Sequence, residues 1–250
     1  KFVWSHDAFR VGEDGPTHQP IEHEAQLRLM EKMDNHSGKM SLLALRPADA
    51  AETSVAWKMA MENTSTPTAL ILSRQNITDL PGKDRYDEAL QAEKGAYVVC
   101  ATAENPDVVL IASGSEVSTL VEGAKLLQER KGITSRVVSV ISEGLFRHQD
   151  KSYQEQVIPA DKPKFGLTAG LSVTLEGLIG CNGRIVAADG RIPARVCGIL
   201  LLTAGYQCEH HNQRQKEADK SLHTYLHKFF KFCKRHVILY RNYDGLSTIL

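Results

Sequence analysis

Three polar residues in the first twenty positions, His6, Asp14 and His18, and one much later, Arg74, are the side chains whose types and setting could do chemistry together. The first three sit among Gly12, Gly15 and Pro16. Glycine admits sharp turns and proline fixes φ and removes a donor, so this backbone cannot be regular helix and reads as a site loop. A phosphorylated polyol is the ligand such groups suit. The planar fork of Arg74 takes two phosphate oxygens at once, Asp14 accepts a hydroxyl proton, and the imidazole of His18, with an ordinary pKa of about 6.5, donates or accepts a proton near neutrality. Each also has an ordinary alternative: Arg74 as a sheet-edge arginine, Asp14 before Gly15 as turn chemistry, His18 as a helix-start or core histidine. His18, Glu22 and His23 do not make a zinc site, because the step between the two imidazoles is one residue too long to stack them on one helical face.

The elements that must position these groups follow from periodicity. Phe2-Val3-Trp4 is a β-prone entry just before His6, and the apolar run Ala69 to Leu72 leads into Arg74. Both sites therefore belong at the carboxyl ends of strands, where open α/β sheets bind ligands. Ile21, Ala25, Leu29 and Met33 recur four apart and predict a helix over 21–33 that buries that stripe on a sheet. Ser41–Leu45 reads as a buried strand, Ala48–Met61 as a helix with Asp49 in its first turn, and Thr68–Leu72 as another strand, a parallel crossover. Asn76 to Lys94 is polar, holds Pro81 and Gly82 and lacks a period, so the interdomain linker is placed there. Beyond it come strands at 107–112, 137–140, 164–167 and 184–187, a long helix from Glu116 to Arg130 and a short one over Val173–Ile179. The fold class is α/β: two three-layer α/β/α units with mainly parallel sheets, the first incomplete. Ser113-Gly114-Ser115-Glu116 offers N–H groups at a helix start, but Ser115 as an N-cap accounts for it equally and the glycines miss the spacing of a phosphate-cradling loop, so no nucleotide is assigned.

Composition narrows the classes. Thirty acidic residues balance thirty basic ones in 250, so no broad field draws the chain to nucleic acid or an anionic membrane. Five widely spaced cysteines without a Cys-x-x-Cys pair speak against a zinc site and a disulfide framework and fit a reducing cytosol. No apolar run approaches the roughly 18 residues of a membrane span, and no signal-peptide pattern opens the chain. The chain begins in mid-strand without an initiator methionine and is expected to be a fragment. Near its end, Lys228-Phe229-Phe230-Lys231-Phe232 and several histidines form a basic-aromatic run of low specificity for nucleic acid or membrane.

Several motifs in order carry a resemblance. Trp4-Ser5-His6-Asp7, Gly12-Glu13-Asp14-Gly15-Pro16-Thr17-His18-Gln19-Pro20, Arg46-Pro47-Ala48-Asp49 and Leu70 to Asn76 resemble the second half of a transketolase of bacterial type. Ile111 to Val117 and Phe165 to Gly170 are similar to its C-terminal domain. The resemblance implies a partial pyrimidine-binding domain over 1–84, a linker over 85–94, a C-terminal domain over 95–196 and a divergent tail over 197–250. Ahead of that tail Ala187 to Ile192 stand where the family has a Phe-Gly-x-Ser-Ala-Pro turn, and a slip of reading frame near Arg184 to Val196 would leave the tail disordered.

By resemblance, the full enzyme transfers a two-carbon ketol unit between ketose and aldose phosphates with thiamine diphosphate and Mg2+ or Ca2+, in the cytoplasm and the pentose phosphate pathway. His6 and Arg74 would bind the substrate phosphate, Asp14 a hydroxyl beside the reacting carbonyl, and His18 the substrate oxygens near the reacting centre as the catalytic donor. In the family an N-terminal domain holds the diphosphate and its metal, and a glutamate of the partner subunit, upstream of anything matching Lys1, activates the aminopyrimidine, so this chain is expected to bind neither and to be inactive alone. A homodimer, or a separate N-terminal half, would complete it. A deoxyxylulose-phosphate synthase would share Asp14 to His18 but carry an Arg-Tyr-Pro-Arg-Gly-like segment in place of Leu72 to Asn76. A non-catalytic C-terminal half or assembly subunit of a split transketolase is the remaining alternative.

Overall fold

Short aliphatic runs become the strands of two sheets, and the polar stretches between them become crossover helices. The computed structural model describes residues 1–7, 20–180 and 183–187. Asp14, His18, Cys181 and the tail after 187, with its expected disorder, lie outside the described residues. In the first unit β1 (Phe2–Trp4), β2 (Leu43–Leu45) and β3 (Thr68–Ile71) form a parallel sheet in the order β1-β3-β2. The helix α1 (His23–Glu31) leads to β2, and α2 (Ala50–Glu62) carries the chain from β2 to β3. Asp49 starts α2 as its N-cap: it leaves the helical region and its side chain accepts the Glu52 N–H at 2.8 Å.

After β3 the chain reaches α3 (Arg85–Ala89), followed by a 3-10 turn at Leu90–Lys94. The second unit holds β4 (Ala96–Ala101), β5 (Val108–Ala112), β6 (Ser135–Val140), β7 (Lys164–Leu167) and β8 (Gly183–Val186), ordered β4-β6-β5-β7-β8. All its pairings are parallel except β4 with β6. The helix α4 (Glu116–Lys131) joins β5 to β6 and ends in left-handed Gly132 after Arg130 and Lys131, the glycine and cations that suit a helix C-terminus. Two short helices, α5 (Glu143–Arg147) and α6 (Lys151–Val157), lie between β6 and β7, and α7 (Val173–Ile179) lies between β7 and β8. Every residue of β5 is buried, as expected for a central parallel strand covered on both faces.

The expected mainly parallel α/β architecture is present, with three informative differences. Ala96 to Ala101 forms an antiparallel edge strand that lacks a clean alternation, its register shifting between Val98 and Cys100. The segment read as linker, 85–94, is helical, and it buries Ala89 and Ala92 against the α2 side of the first core. The third difference inverts an expectation. The predicted stripe is not the buried one: Leu29 is 61% exposed and Met33, past the end of α1, 54%, Ile21 and Ala25 are half-buried, while Glu24, Arg28 and Glu31 are buried. Apolar period predicts the buried face only where area decides; here a fully paired set of charges takes the inner face instead.

The two units share their cores. Leu80 and Ala48 pack with Val108, Leu110, Leu120 and Phe165, and Tyr97 and Ile141 pack with Leu45, Val55 and Leu70. A polar clamp reinforces the seam. Glu52, fully buried on α2, accepts from the Tyr97 hydroxyl at 2.7 Å and the Ala48 N–H at 2.8 Å. Arg85 joins through Asp49 at 2.5 Å and through the Tyr97 hydroxyl, and the Leu80 N–H is held by Asp49 at 3.1 Å. Burial pushes the Glu52 carboxyl above its ordinary value, and its hydrogen bonds with Tyr97 and Ala48 oppose that only in part.

A raised folded pKa of an acid means that the native state binds the proton more tightly, so the stability it contributes is greatest below the unfolded value of 4.5 and falls as pH rises through the folded value. Glu52→Gln removes that dependence. The stability of the natural chain minus that of the variant, from urea unfolding at pH 5, 6.5 and 8, is expected to decrease with pH; a difference that rises with pH would contradict this environment for Glu52.

Candidate functional site at the strand tips

Parallel pairing brings His6 and Arg74 to neighbouring ends. Phe2, Val3 and Trp4 face Ala69, Leu70 and Ile71 in register, and the ladder runs beyond both strands: the Leu72 N–H donates to Trp4 O at 2.7 Å and the Asp7 N–H to Leu72 O at 3.1 Å. The chain past β1 thus stays zipped to the chain past β3 through Asp7. His6 lies inside that zipper, half-buried, with Nδ1 3.0 Å from Ser5 Oγ. Arg74 follows two residues after Leu72 and is exposed. The expectation that these two lie at the carboxyl ends of adjacent strands is met, while Asp14 and His18 fall within 8–19, outside the described residues.

Beneath the tips lies a buried ionic network that apolar periodicity did not reveal. Arg46, just past β2, sends Nη2 to Asp7 Oδ2 at 2.9 Å and to Glu116 Oε2 at 2.7 Å, and Nη1 to Ser113 O at 2.8 Å and toward Glu24 at 3.5 Å. Arg28 reaches Glu24 at 3.2 Å, Glu31 at 3.1 Å, Ser113 Oγ at 3.1 Å and the carbonyls of Ala44 and Ile141. Glu31 accepts from the Ala44 N–H and from Ser142 Oγ, and Glu116 Oε1 accepts the Ala169 N–H at 2.9 Å.

Gly114 makes the Arg46 contact feasible. Its φ of 66° is left-handed, and a Cβ there would stand 2.7 Å from Arg46 Nε. Ser115 occupies the N-cap position of α4, but its hydroxyl caps nothing and lies 3.1 Å from Asp7 Oδ2 and 3.2 Å from Glu116 Oε2. The helix-start loop is therefore filled by the chain's own carboxylates.

Four buried carboxyls, Asp7, Glu24, Glu31 and Glu116, face two guanidiniums. Burial pulls the Arg46 pKa down, but Glu116, Glu24 and Asp7 more than reverse it, so its charge is secure. Burial raises the pKa of Glu116, with Asp7 adding to the rise and Arg46 opposing it. The sequence signal for this network is a charged stripe, Glu24, Arg28 and Glu31 at i, i+4 and i+7, on the face beside the apolar one.

Two family models match the chain, the transketolase pyrimidine-binding domain over residues 1–79 and the transketolase-like C-terminal domain over 95–190. The chain belongs to the transketolase family. A transketolase from Staphylococcus aureus is 42% identical over 192 residues, covering 76% of this chain and 27% of that protein. Among solved structures, transketolase from Leishmania mexicana superposes with a TM-score of 0.65 at 34% identity, covering 88% of this chain and 30% of that one. A Pichia stipitis transketolase in complex with sedoheptulose 7-phosphate gives 0.68 at 28% identity, covering 93% and 30%. The chain thus spans about a quarter of the length of the curated transketolases it matches.

Membership of this family implies thiamine diphosphate use. A diphosphate with its divalent metal needs several oxygen ligands converging on open space. The described residues do not fit that need: no group of three His, Cys, Asp or Glu side chains among them could hold a metal ion. The carboxyls that do cluster are bonded to Arg28 and Arg46. Among the described residues no helix is long and apolar enough to cross a membrane.

Proposed function

We propose that this chain supplies the sugar-phosphate side of a transketolase that moves a two-carbon ketol unit between ketose and aldose phosphates. The observation that carries the reading is the extension of the β1–β3 ladder to Asp7, which sets His6 beside the chain that leads to Arg74. Arg74 takes the substrate phosphate through its planar fork and His6 adds a second donor. Asp14 accepts a substrate hydroxyl and His18 donates to the substrate oxygens near the reacting carbonyl. These four groups bind, orient and move protons; the carbanion chemistry belongs to the thiamine diphosphate of the complete enzyme, with Mg2+ or Ca2+ at its diphosphate. The complete enzyme is a cytoplasmic homodimer, or this chain pairs with a separate N-terminal half.

A chimera tests the reading. Residues 1–187 replace the matching stretch of the Staphylococcus aureus transketolase, and the product is assayed with thiamine diphosphate, Mg2+, xylulose 5-phosphate and ribose 5-phosphate. The chimera is expected to turn over while the 250-residue chain alone does not. A folded chimera without ketol transfer, or turnover by the chain alone, would overturn it.

A further inference from the structure

We infer that Asp7, Arg46 and Glu116 form a positioning relay through which the second unit holds His6 in place, so that the second unit takes part in the phosphate grip through His6. The inference rests on the reading of His6 as a phosphate donor. Three observations carry it. Asp7 is covalently next to His6 and is fixed on two sides, by its N–H to Leu72 O and by its carboxylate to Arg46. Arg46 bridges units: one Nη2 serves Asp7 of the first and Glu116 of the second, while Nη1 is anchored on the Ser113 carbonyl. Glu116 is itself tied down by the Ala169 N–H at the end of β7, and Ser115 makes a second, shorter link from α4 straight to Asp7.

These groups are nearly inaccessible to water: Asp7 is 2% exposed, Arg46 1% and Glu116 not at all. Charge-assisted hydrogen bonds in such a setting are short, directional and poorly screened, which makes them suited to fixing a backbone segment rather than merely adding attraction. Displacing the Asp7 carboxylate shifts the His6 peptide, because only one Cα separates them. A histidine displaced by even about an ångström loses alignment with a phosphate oxygen while the fold persists. Glu24 is shared, pairing with Arg28 at 3.2 Å and lying 3.5 Å from Arg46 Nη1, whereas Glu31 bonds Arg28, which also reaches the carbonyls of Ala44 and Ile141.

The test uses the full 250-residue chain with 13C-labelled histidine, the His6 ring signal being assigned by its loss in His6→Gln. Glu116→Gln keeps the shape and the Ala169 contact but weakens the bond to Arg46. It lies in the other unit, so it should move or broaden the His6 signal only if the relay exists. Glu52→Gln, a buried isosteric change in the separate Tyr97 clamp, serves as the control and should leave that signal in place. Titration with inorganic phosphate then reads affinity at His6, expected to weaken roughly fivefold or more in Glu116→Gln and to stay within about twofold in Glu52→Gln.

Ser115→Ala, which removes only the hydroxyl on Asp7, gives the same direction with a smaller effect and stands in if Glu116→Gln does not fold. An unmoved His6 signal in Glu116→Gln and Ser115→Ala, with only the melting temperature lowered, would overturn the relay. If the natural chain shows no phosphate response at His6, the substrate reading fails, and the His6 signal in the two variants still decides whether the relay exists.

Discussion

Arg46→Met is expected to destabilise the chain by about 3–5 kcal/mol, a large part of the 5–15 kcal/mol that holds a typical domain. The substitution roughly keeps volume, so the cost comes from charge. Asp7 and Glu116 each lose their bond to Nη2, and the Ser113 carbonyl loses its donor. Breaking one side of a buried ionic set leaves the other side uncompensated, which is worse than never having built the set. Arg46→Lys should recover only part of the loss, since one ammonium cannot span Asp7, Glu116 and the Ser113 carbonyl from the position of a fork. Urea unfolding followed by circular dichroism measures both. A loss below about 1 kcal/mol for the methionine variant would show that the network stabilises little beyond a surface pair.

Arg74→Ala should leave stability almost untouched, because the side chain is exposed, yet weaken the grip on phosphorylated substrate. A charge-assisted hydrogen bond contributes about 1.5–3 kcal/mol, so a roughly 10- to 100-fold rise in KM for xylulose 5-phosphate is expected in the chimera. Phosphate lies far from the bonds that break and form, and its contact is made equally in ground and transition states. The change should therefore fall on KM with little effect on kcat. A fall in kcat at unchanged KM would place Arg74 at the reacting centre instead of the phosphate.

The strands and the long helices were legible in the chain because their signals are local. The apolar run at Val108–Ala112 and the helix that became α2 need no distant partner to be read, although Asp49, expected inside the first turn, is the cap just ahead of it. The positions of His6 and Arg74, past the ends of β1 and β3, were legible for the same reason, each following a recognisable strand. The inner face of α1 was not, because Glu24 and Arg28 are buried only by virtue of partners at 46, 113 and 141, and no periodicity within 21–33 contains those partners. Nor was the antiparallel β4, whose pairing with β6 is long-range and broken by a register shift. The helices α3 and α5 span too few residues for a 3.6 period to declare itself, and α6 buries one apolar residue, Val157, where the equally short α7 buries Leu175, Leu178 and Ile179. The helix start at Ser113–Glu116 shows how a local signal misleads: the same residues that suggest a cap spend their polar groups on Arg46 and Asp7.

The central claim is that His6 and Arg74 act on one ligand group, and a double-mutant cycle tests it most directly. His6→Ala, Arg74→Ala and the double variant are compared by kcat/KM for xylulose 5-phosphate in the chimera. Two side chains gripping the same phosphate should couple by about 0.5–3 kcal/mol, so that the double variant loses less than the two single losses added together. Losses that add within about 0.3 kcal/mol would mean that the imidazole and the guanidinium act on separate things, and the strand-tip site would not exist in the form described.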